Sequence, residues 1–342
     1  MNEAPASNFP VVNPQKPRDY ALDNYRGFVI LLLIFFFSFD ALNATPAFFL
    51  HAQDGGILTF SDFIAPGFML ALVFAFTIGL EKFTANKDYK GALRKFSGRY
   101  LALVGIGYVF IAFSNLVDGG TSFQFNVFTT FGISGLCSLF FITFNKWGKL
   151  FAGCALLVVY QLLLFVPELH DYAFVNDAGG LLGCIAWCGF MLVAMFLAQL
   201  YRSDFKKFSR CVLVFLLVAF VFSLADILMK TTGNEFDFLM AIPRRASLSF
   251  MIIMLGFHAG VFWLFAKLTK HKPLAVFTWY GRNSLLMYFV AAGIGNIATT
   301  ICNSFVTQAN IWYVMPLSFI VCITVATTFA YVLHRFKIIV TV

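Results

Sequence analysis

The chain has 342 residues, 60% of them hydrophobic and only 12% charged, with a net charge of +8. A soluble domain carries about 25% charged residues, so this balance excludes a soluble enzyme, and with it a disordered chain, a collagen or a disulfide-stapled module. An integral membrane protein remains, and the length allows roughly ten spans of about 20 residues each.

Long apolar runs predict the spans in chain order. Residues 1–24 are polar and proline-rich and read as a flexible cytoplasmic tail; residues 25–342 form the transmembrane domain. The first run, Gly27–Phe39, is short and is expected to continue as helix through Asn43. Phe63–Leu80, Tyr100–Leu116, Phe125–Phe144, Leu150–Val166 and Leu181–Tyr201 follow. Cys211–Met229, Leu248–Leu268, Val276–Thr299 and Ile311–Leu333 complete the ten. The expected fold is therefore all-α, a polytopic helical bundle with both termini on one side. If that side is cytoplasmic, all of the 24 Lys and Arg except Lys230, Arg244 and Arg245 fall inside, as the positive-inside rule requires. The basic balance thus reports topology, and no nucleic-acid partner is expected. The seven cysteines sit mostly within spans as small apolar residues. Cys184 and Cys188 share a helix face without a neighbouring His or carboxylate, so no metal site is expected.

Ionisable residues inside a bilayer cost energy and mark candidate sites. Asp226 with Lys230 fits an interfacial ion pair, and His258 fits either a neutral histidine bonded to a neighbouring helix or a proton relay. Arg244 and Arg245 follow Pro243 on the outer side, placed for an anionic substrate group or for lipid phosphates. The densest polar stretch is the first outer loop, with Asp40, Asn43, His51, Gln53, Asp54, Gly55, Gly56 and Asp62. His51 titrates near neutral pH and suits a general base if a carboxylate fixes its tautomer; Asp40 and Asp62 end the flanking spans. The same position also fits a solvated loop histidine.

The run Leu22-Asp23-Asn24-Tyr25-Arg26-Gly27 resembles the entry to the first core helix of the heparan-alpha-glucosaminide N-acetyltransferase family and its bacterial relatives. His51-Ala52, then Leu58-Thr59 and Asp62-Phe63-Ile64-Ala65-Pro66-Gly67-Phe68, is similar to that family's first outer loop. Gly281-Arg282-Asn283-Ser284-Leu285 through Tyr288 resembles its later Gly-x-Asn-Ser-Leu segment. The resemblance implies a membrane-bound acyltransferase that moves an acetyl group from cytoplasmic acetyl-CoA to an extracytoplasmic sugar amine or hydroxyl of a glycan or glycolipid. By carry-over, His51 is the general base or transient acetyl carrier, oriented by Asp62 with Asp40 nearby. Asn283 contacts the CoA, with Arg26 and Arg282 at the same inner surface for its phosphates. Asn43, Arg244 and Arg245 are expected on the acceptor side, and no metal is needed.

The chain departs from the family pattern in four places: His51 and Asp62 stand one residue further apart, the Gln53–Gly56 turn lacks the usual aromatic, and two sites carry other residues. Asp40 stands where an Asn is usual, and Thr129-Thr130 replace a Gln-Arg pair. These departures keep a non-catalytic membrane partner of an envelope-modifying system as an alternative. A secondary transporter is another, with His258, Asp226 and helices broken at Pro66 and Gly293–Gly295 around a site. Short loops predict a bacterial inner (cytoplasmic) membrane. Lipid is the expected surrounding partner; one chain suffices for catalysis, and a homo-oligomer stays open.

Overall fold

The computed structural model describes residues 19–52, 56–118, 125–233, 238–269 and 272–340. Every described regular element is helical. In chain order the α-helices are α1 (Tyr20–Phe37), α2 (Ile64–Ala85), α3 (Tyr89–Asp118), α4 (Val127–Ser138) and α5 (Lys146–Leu163). Then come α6 (Pro167–Val175), α7 (Gly180–Ser203), α8 (Phe205–Thr232) and α9 (Leu248–Thr269). A short α10 (Ala275–Arg282) precedes α11 (Ser284–Cys302) and α12 (Ile311–Arg335).

Each of the ten expected spans coincides with an apolar helical stretch. Nine helices among the described residues are long and apolar enough to cross a bilayer. The fourth, Val127–Phe141 including its last 3-10 turn, is shorter, and its 1.5 Å rise per residue gives it about 22 Å. The ninth is split at Asn283, whose backbone leaves helical geometry at φ −123° and ψ 40°.

Three expectations are corrected. Helix α1 begins at Tyr20, capped by the Asp19 side chain, so the last residues of the expected tail are already helical; residues 1–18 lie outside the described residues. Its far end stops at Phe37 and does not run to Asn43. Ser38 Oγ donates to the Phe35 carbonyl, Thr45 Oγ1 to that of Phe39, and Ser318 Oγ to that of Ser38. Side-chain hydroxyls thus satisfy carbonyls that another helical turn would have used. Finally, neither Pro66 nor Gly293–Gly295 breaks a helix: α2 and α11 run through them.

Helix α7 is buried nearly all round and forms the central post. Helices α3, α8 and α12 turn Leu101, Phe113, Leu217, Phe220 and Leu317 outward, the apolar surface a lipid-facing helix needs. Two of the sequence motifs meet where α1 crosses α10. A Cβ on Gly27 would stand 1.9 Å from the Phe277 carbonyl oxygen, and one on Gly281 1.9 Å from that of Asp23. Only glycine lets the two backbones approach so closely. Buried Asn24 completes the crossing, accepting from Leu274 N and Thr278 Oγ1 and donating to the Lys272 carbonyl. The start of α1 and the end of α12 therefore share one face, because Asn283 and Arg282 bond the 334–340 segment there. Asn303, after α11, bonds Ala41 and Asn43 on the opposite face.

Candidate active site

The loop between α1 and α2 is organised around one buried carboxylate. Thr59 caps the 3-10 turn Phe60–Phe63, and Asp62 closes the capping box. Asp62 Oδ2 accepts from Thr59 N at 2.8 Å and from Thr59 Oγ1 at 3.0 Å. Ala52 N reaches the same carboxylate at 3.4 Å. With those bonds fixing it, Asp62 Oδ1 lies 3.1 Å from His51 Nδ1.

The pair is asymmetric in exposure: the Asp62 side chain is 0% exposed and that of His51 64%. A buried carboxylate can only accept, so Nδ1 carries the proton and donates, and Nε2 presents a lone pair outward. The imidazole also meets the Phe36 ring edge, centroids 5.3 Å apart. Burial pulls the His51 pKa down, but the Asp62 hydrogen bond and the charges of Asp62, Asp40 and Asp177 outweigh it and hold it above the ordinary imidazole value. Asp40 is shifted up by its own partial burial, with His51 opposing.

On the opposite face a cavity of about 320 Å³ enters the bundle among α1, α2, α3, α4 and α11. Arg26, Arg99 and Arg282 line one end, beside Val340; Phe68, Phe128 and Tyr288 wall the other. Phe68 follows Asp62 by six residues, about 9 Å of helical rise, so the cavity approaches the His51 loop from beneath. Between them lies an aromatic partition. Tyr288 packs on Phe37 at 5.8 Å, Phe37 on Phe36 at 5.4 Å, and Phe36 on His51.

The other sequence candidates divide. Asp40 joins the loop through its charge on His51. Arg26 and Arg282 line the cavity, and Arg282 also bonds His334 at 3.1 Å. Asn283 sits beside that end with both ends of its amide occupied: Nδ2 donates to the Ile338 carbonyl and Oδ1 accepts from Val340 N. Asn43 is exposed, its backbone N–H held by Asn303. Arg244 and Arg245 both stand over the Phe174 ring, and Arg245 also donates to His170 Nε2. They belong to an outer cap in which Tyr160 OH donates to the Arg245 carbonyl and Gly179 N to that of Arg244. Gln53, Asp54 and Gly55 lie outside the described residues.

Sequence reasoning missed Arg99 and Asp177. Arg99 is a third cation at the cavity, and a positive residue near a span end carries no mark of its own. Asp177 comes from the loop before α7, 126 residues downstream of His51. The role of Thr59 was legible, since Thr-x-x-Asp is a capping-box spacing. The intramembrane and interfacial residues that a transporter would use are internally paired. Lys230 Nζ and Ala241 N both reach the Asp226 carboxylate, at 2.8 and 2.6 Å. His258 bonds Tyr25 and the Phe63 carbonyl. Thr129 completes the Asn126 cap of α4, whereas the buried Thr130 hydroxyl has no hydrogen-bond partner among the described residues. Among the described residues no group of three His, Cys, Asp or Glu is placed to hold a metal.

The helical bundle thus carries a His–Asp pair at one face and an arginine-lined cavity entering from the other. The sequence pattern of the family described as heparan-alpha-glucosaminide N-acetyltransferase, catalytic, matches residues 18–221. The chain belongs to that family and is a membrane transferase of the acetyltransferase type. The match takes in His51, Asp62, Asp40, Asn43 and Arg26, and ends before Arg244, Arg245, Arg282 and Asn283. No curated protein matches the chain.

Proposed function

We propose that the protein transfers an acetyl group from acetyl-CoA, bound at the face shared by the two ends of the chain, to a sugar amine or hydroxyl of a glycan or glycolipid at the opposite face. The observation that carries this reading is the outward Nε2 of His51, held on a buried carboxylate above a cavity lined by three arginines. The Lys and Arg distribution supports a cytoplasmic arginine face, on the side where CoA thioesters are made. A bacterial inner membrane fits the short loops, and the transferase unit runs over residues 25–342.

The donor fits what lines the cavity. Guanidinium groups bind phosphates through paired N–H donors, and Arg26, Arg99 and Arg282 supply three at one end. The apolar wall of Phe68, Leu72, Phe128 and Tyr288 suits an uncharged pantetheine arm and its thioester. The thioester supplies an activated carbonyl. Neutral His51 then takes the acceptor's N–H or O–H proton through Nε2 as that nitrogen or oxygen bonds to the carbonyl carbon. The carbon–sulfur bond breaks, and the imidazolium returns the proton to the departing thiolate. Asp62 stabilises the imidazolium and keeps Nδ1 protonated throughout. The rings of Phe36, Phe37 and Tyr288 must part for the acetyl group to reach His51. Arg244 and Arg245, in the outer cap, face the acceptor side.

Thermal unfolding of the detergent-solubilised protein tests the donor. A ligand at 100 times its Kd stabilises the folded state by about 2.7 kcal/mol. Acetyl-CoA is expected to raise Tm well above any effect of dephospho-CoA or ATP. No shift at millimolar acetyl-CoA removes the donor site and the reading with it.

A further inference from the structure

His258 lies midway along α9 with its ring fully buried, and the transfer chemistry does not use it. Its Nε2 is 2.7 Å from the Phe63 carbonyl oxygen and its Nδ1 3.0 Å from the Tyr25 hydroxyl. A carbonyl only accepts, so Nε2 carries the proton and donates; Nδ1 is then the acceptor of the Tyr25 O–H. The neutral ring therefore links three segments: α1 through Tyr25, α9 through its own backbone, and the residue that follows Asp62.

The surroundings are shaped to the ring. Gly67 leaves space for it, since a Cβ there would come within 2.9 Å of the imidazole. Phe257 and Phe63 pack against it, with centroids at 5.1 and 6.4 Å. Phe63 both ends the 3-10 turn that presents Asp62 and caps α2. A shift of its carbonyl moves that turn, and Asp62 with it.

We propose that His258 is a positioning residue for acyl transfer: by holding the Phe63 carbonyl it fixes the Phe60–Phe63 turn and sets the Asp62 carboxylate against His51. The proposal rests on the reading of His51 as the base, and it repeats one level deeper what Asp62 does for His51. Asp40, Asp62 and Asp177 are the charges that act on His51. None of them is touched by a change at His258, so any effect on His51 passes through the placement of Asp62.

The test follows the imidazoles directly and needs no acceptor. Full-length protein labelled with 15N-histidine in lipid nanodiscs is titrated by long-range 1H–15N correlation. The protein has five histidines, and the His51 signal is assigned by its loss in His51→Gln. In the unaltered protein His258 is expected to stay a neutral Nε2–H tautomer while His51 titrates above the ordinary imidazole value. His258→Gln supplies an N–H for Phe63 and an oxygen for Tyr25, and should leave the His51 titration in place. His258→Phe supplies neither, and should lower it by about half a pH unit or more as the Asp62 contact loosens. An unchanged His51 titration in His258→Phe overturns the proposal. So does an equal displacement in the Gln and Phe variants, because packing alone would then explain it. Should His258→Phe fail to fold, Tyr25→Phe decides. A changed His258 tautomer together with a displaced His51 titration supports the link, and His51 unmoved overturns it. Donor binding, measured separately by thermal shift, tells failure of this link from failure of the acyl-transfer reading.

Discussion

Two histidine–aspartate pairs stand on the same face of this protein, and they are built in opposite senses. His51 and Asp62 meet at 3.1 Å, His170 and Asp171 at 3.3 Å. In the first pair the carboxylate is wholly buried and bonded to Thr59 and Ala52 as well, while the imidazole is open. In the second the carboxylate is 82% exposed and the imidazole 29%, with its far nitrogen taken by Arg245. Solvent screens an exposed carboxylate, and the Arg245 bond occupies the nitrogen that a base would need. A base needs the reverse: a fixed, desolvated acceptor behind the ring and a lone pair in front. The His–Asp contact distance is nearly the same in both, so burial and the far nitrogen are what set the proposed base apart from the second pair.

The comparison breaks most decisively at His51. His51→Ala should lower acyl transfer by about 10²–10⁴-fold, the usual contribution of a general base, with Tm little changed because the side chain is mostly exposed. Turnover equal to the unaltered protein would reduce the two pairs to the same structural status. Asp62→Asn comes next, at roughly 10- to 100-fold in kcat with acetyl-CoA affinity kept, since the amide no longer holds the imidazolium or its tautomer. A loss confined to KM would assign Asp62 to binding instead.

The pH dependence sharpens the contrast. The working form of His51 is neutral, and its pKa is held above the ordinary value. The rate should therefore rise with pH through a point above about 6.5. The ion pair's contribution to stability runs the other way. It is fully present below the unfolded-state value near 6.5 and is lost as pH rises through the elevated folded value. Asp177→Asn removes one of the charges raising that pKa, so the acid limb should move down by a fraction of a pH unit while the plateau rate stays within about twofold. A limb that does not move would separate Asp177 from the site. Smallest of all is His170→Ala, expected to leave turnover within about twofold. A loss matching that of His51→Ala would mean the open ring has been assigned to the wrong pair.

Much of this site was legible along the chain. His51 and Asp62 lie in one loop, Thr59 and Asp62 have capping-box spacing, and Asp40 ends the preceding span, so local proximity brought them together. The arginine-lined cavity was half legible: Arg26 and Arg282 sit in motifs, but Arg99 reaches it only because α3 packs beside α2 and α4. Asp177 was not legible, since a loop after α6 has to fold back toward a loop after α1. His258 could be read as a buried histidine with a partner. Nothing in the sequence says that its partner is the carbonyl next to Asp62.

Composition and periodicity determined the class by themselves, because so apolar a chain has no folded solution in water and each long apolar run must satisfy its own backbone as helix. The same reading located the spans to within about two turns, except that α3 begins three turns before the expected Tyr100. Helix ends, by contrast, were settled in three dimensions. Helix α1 stops at Phe37, where hydroxyls of Ser38, Thr45 and Ser318 take the carbonyls of Phe35, Phe39 and Ser38 at and just past its end, and one of those donors lies 280 residues away. Tertiary structure likewise decided that Gly27 and Gly281, in two separate motifs, form a single crossing. It also decided that Arg245 takes the far nitrogen of His170, whereas that of His51 meets no partner among the described residues. Both outcomes depend on which side chains meet across the bundle, and the spacing of residues along one helix carries no record of its neighbours.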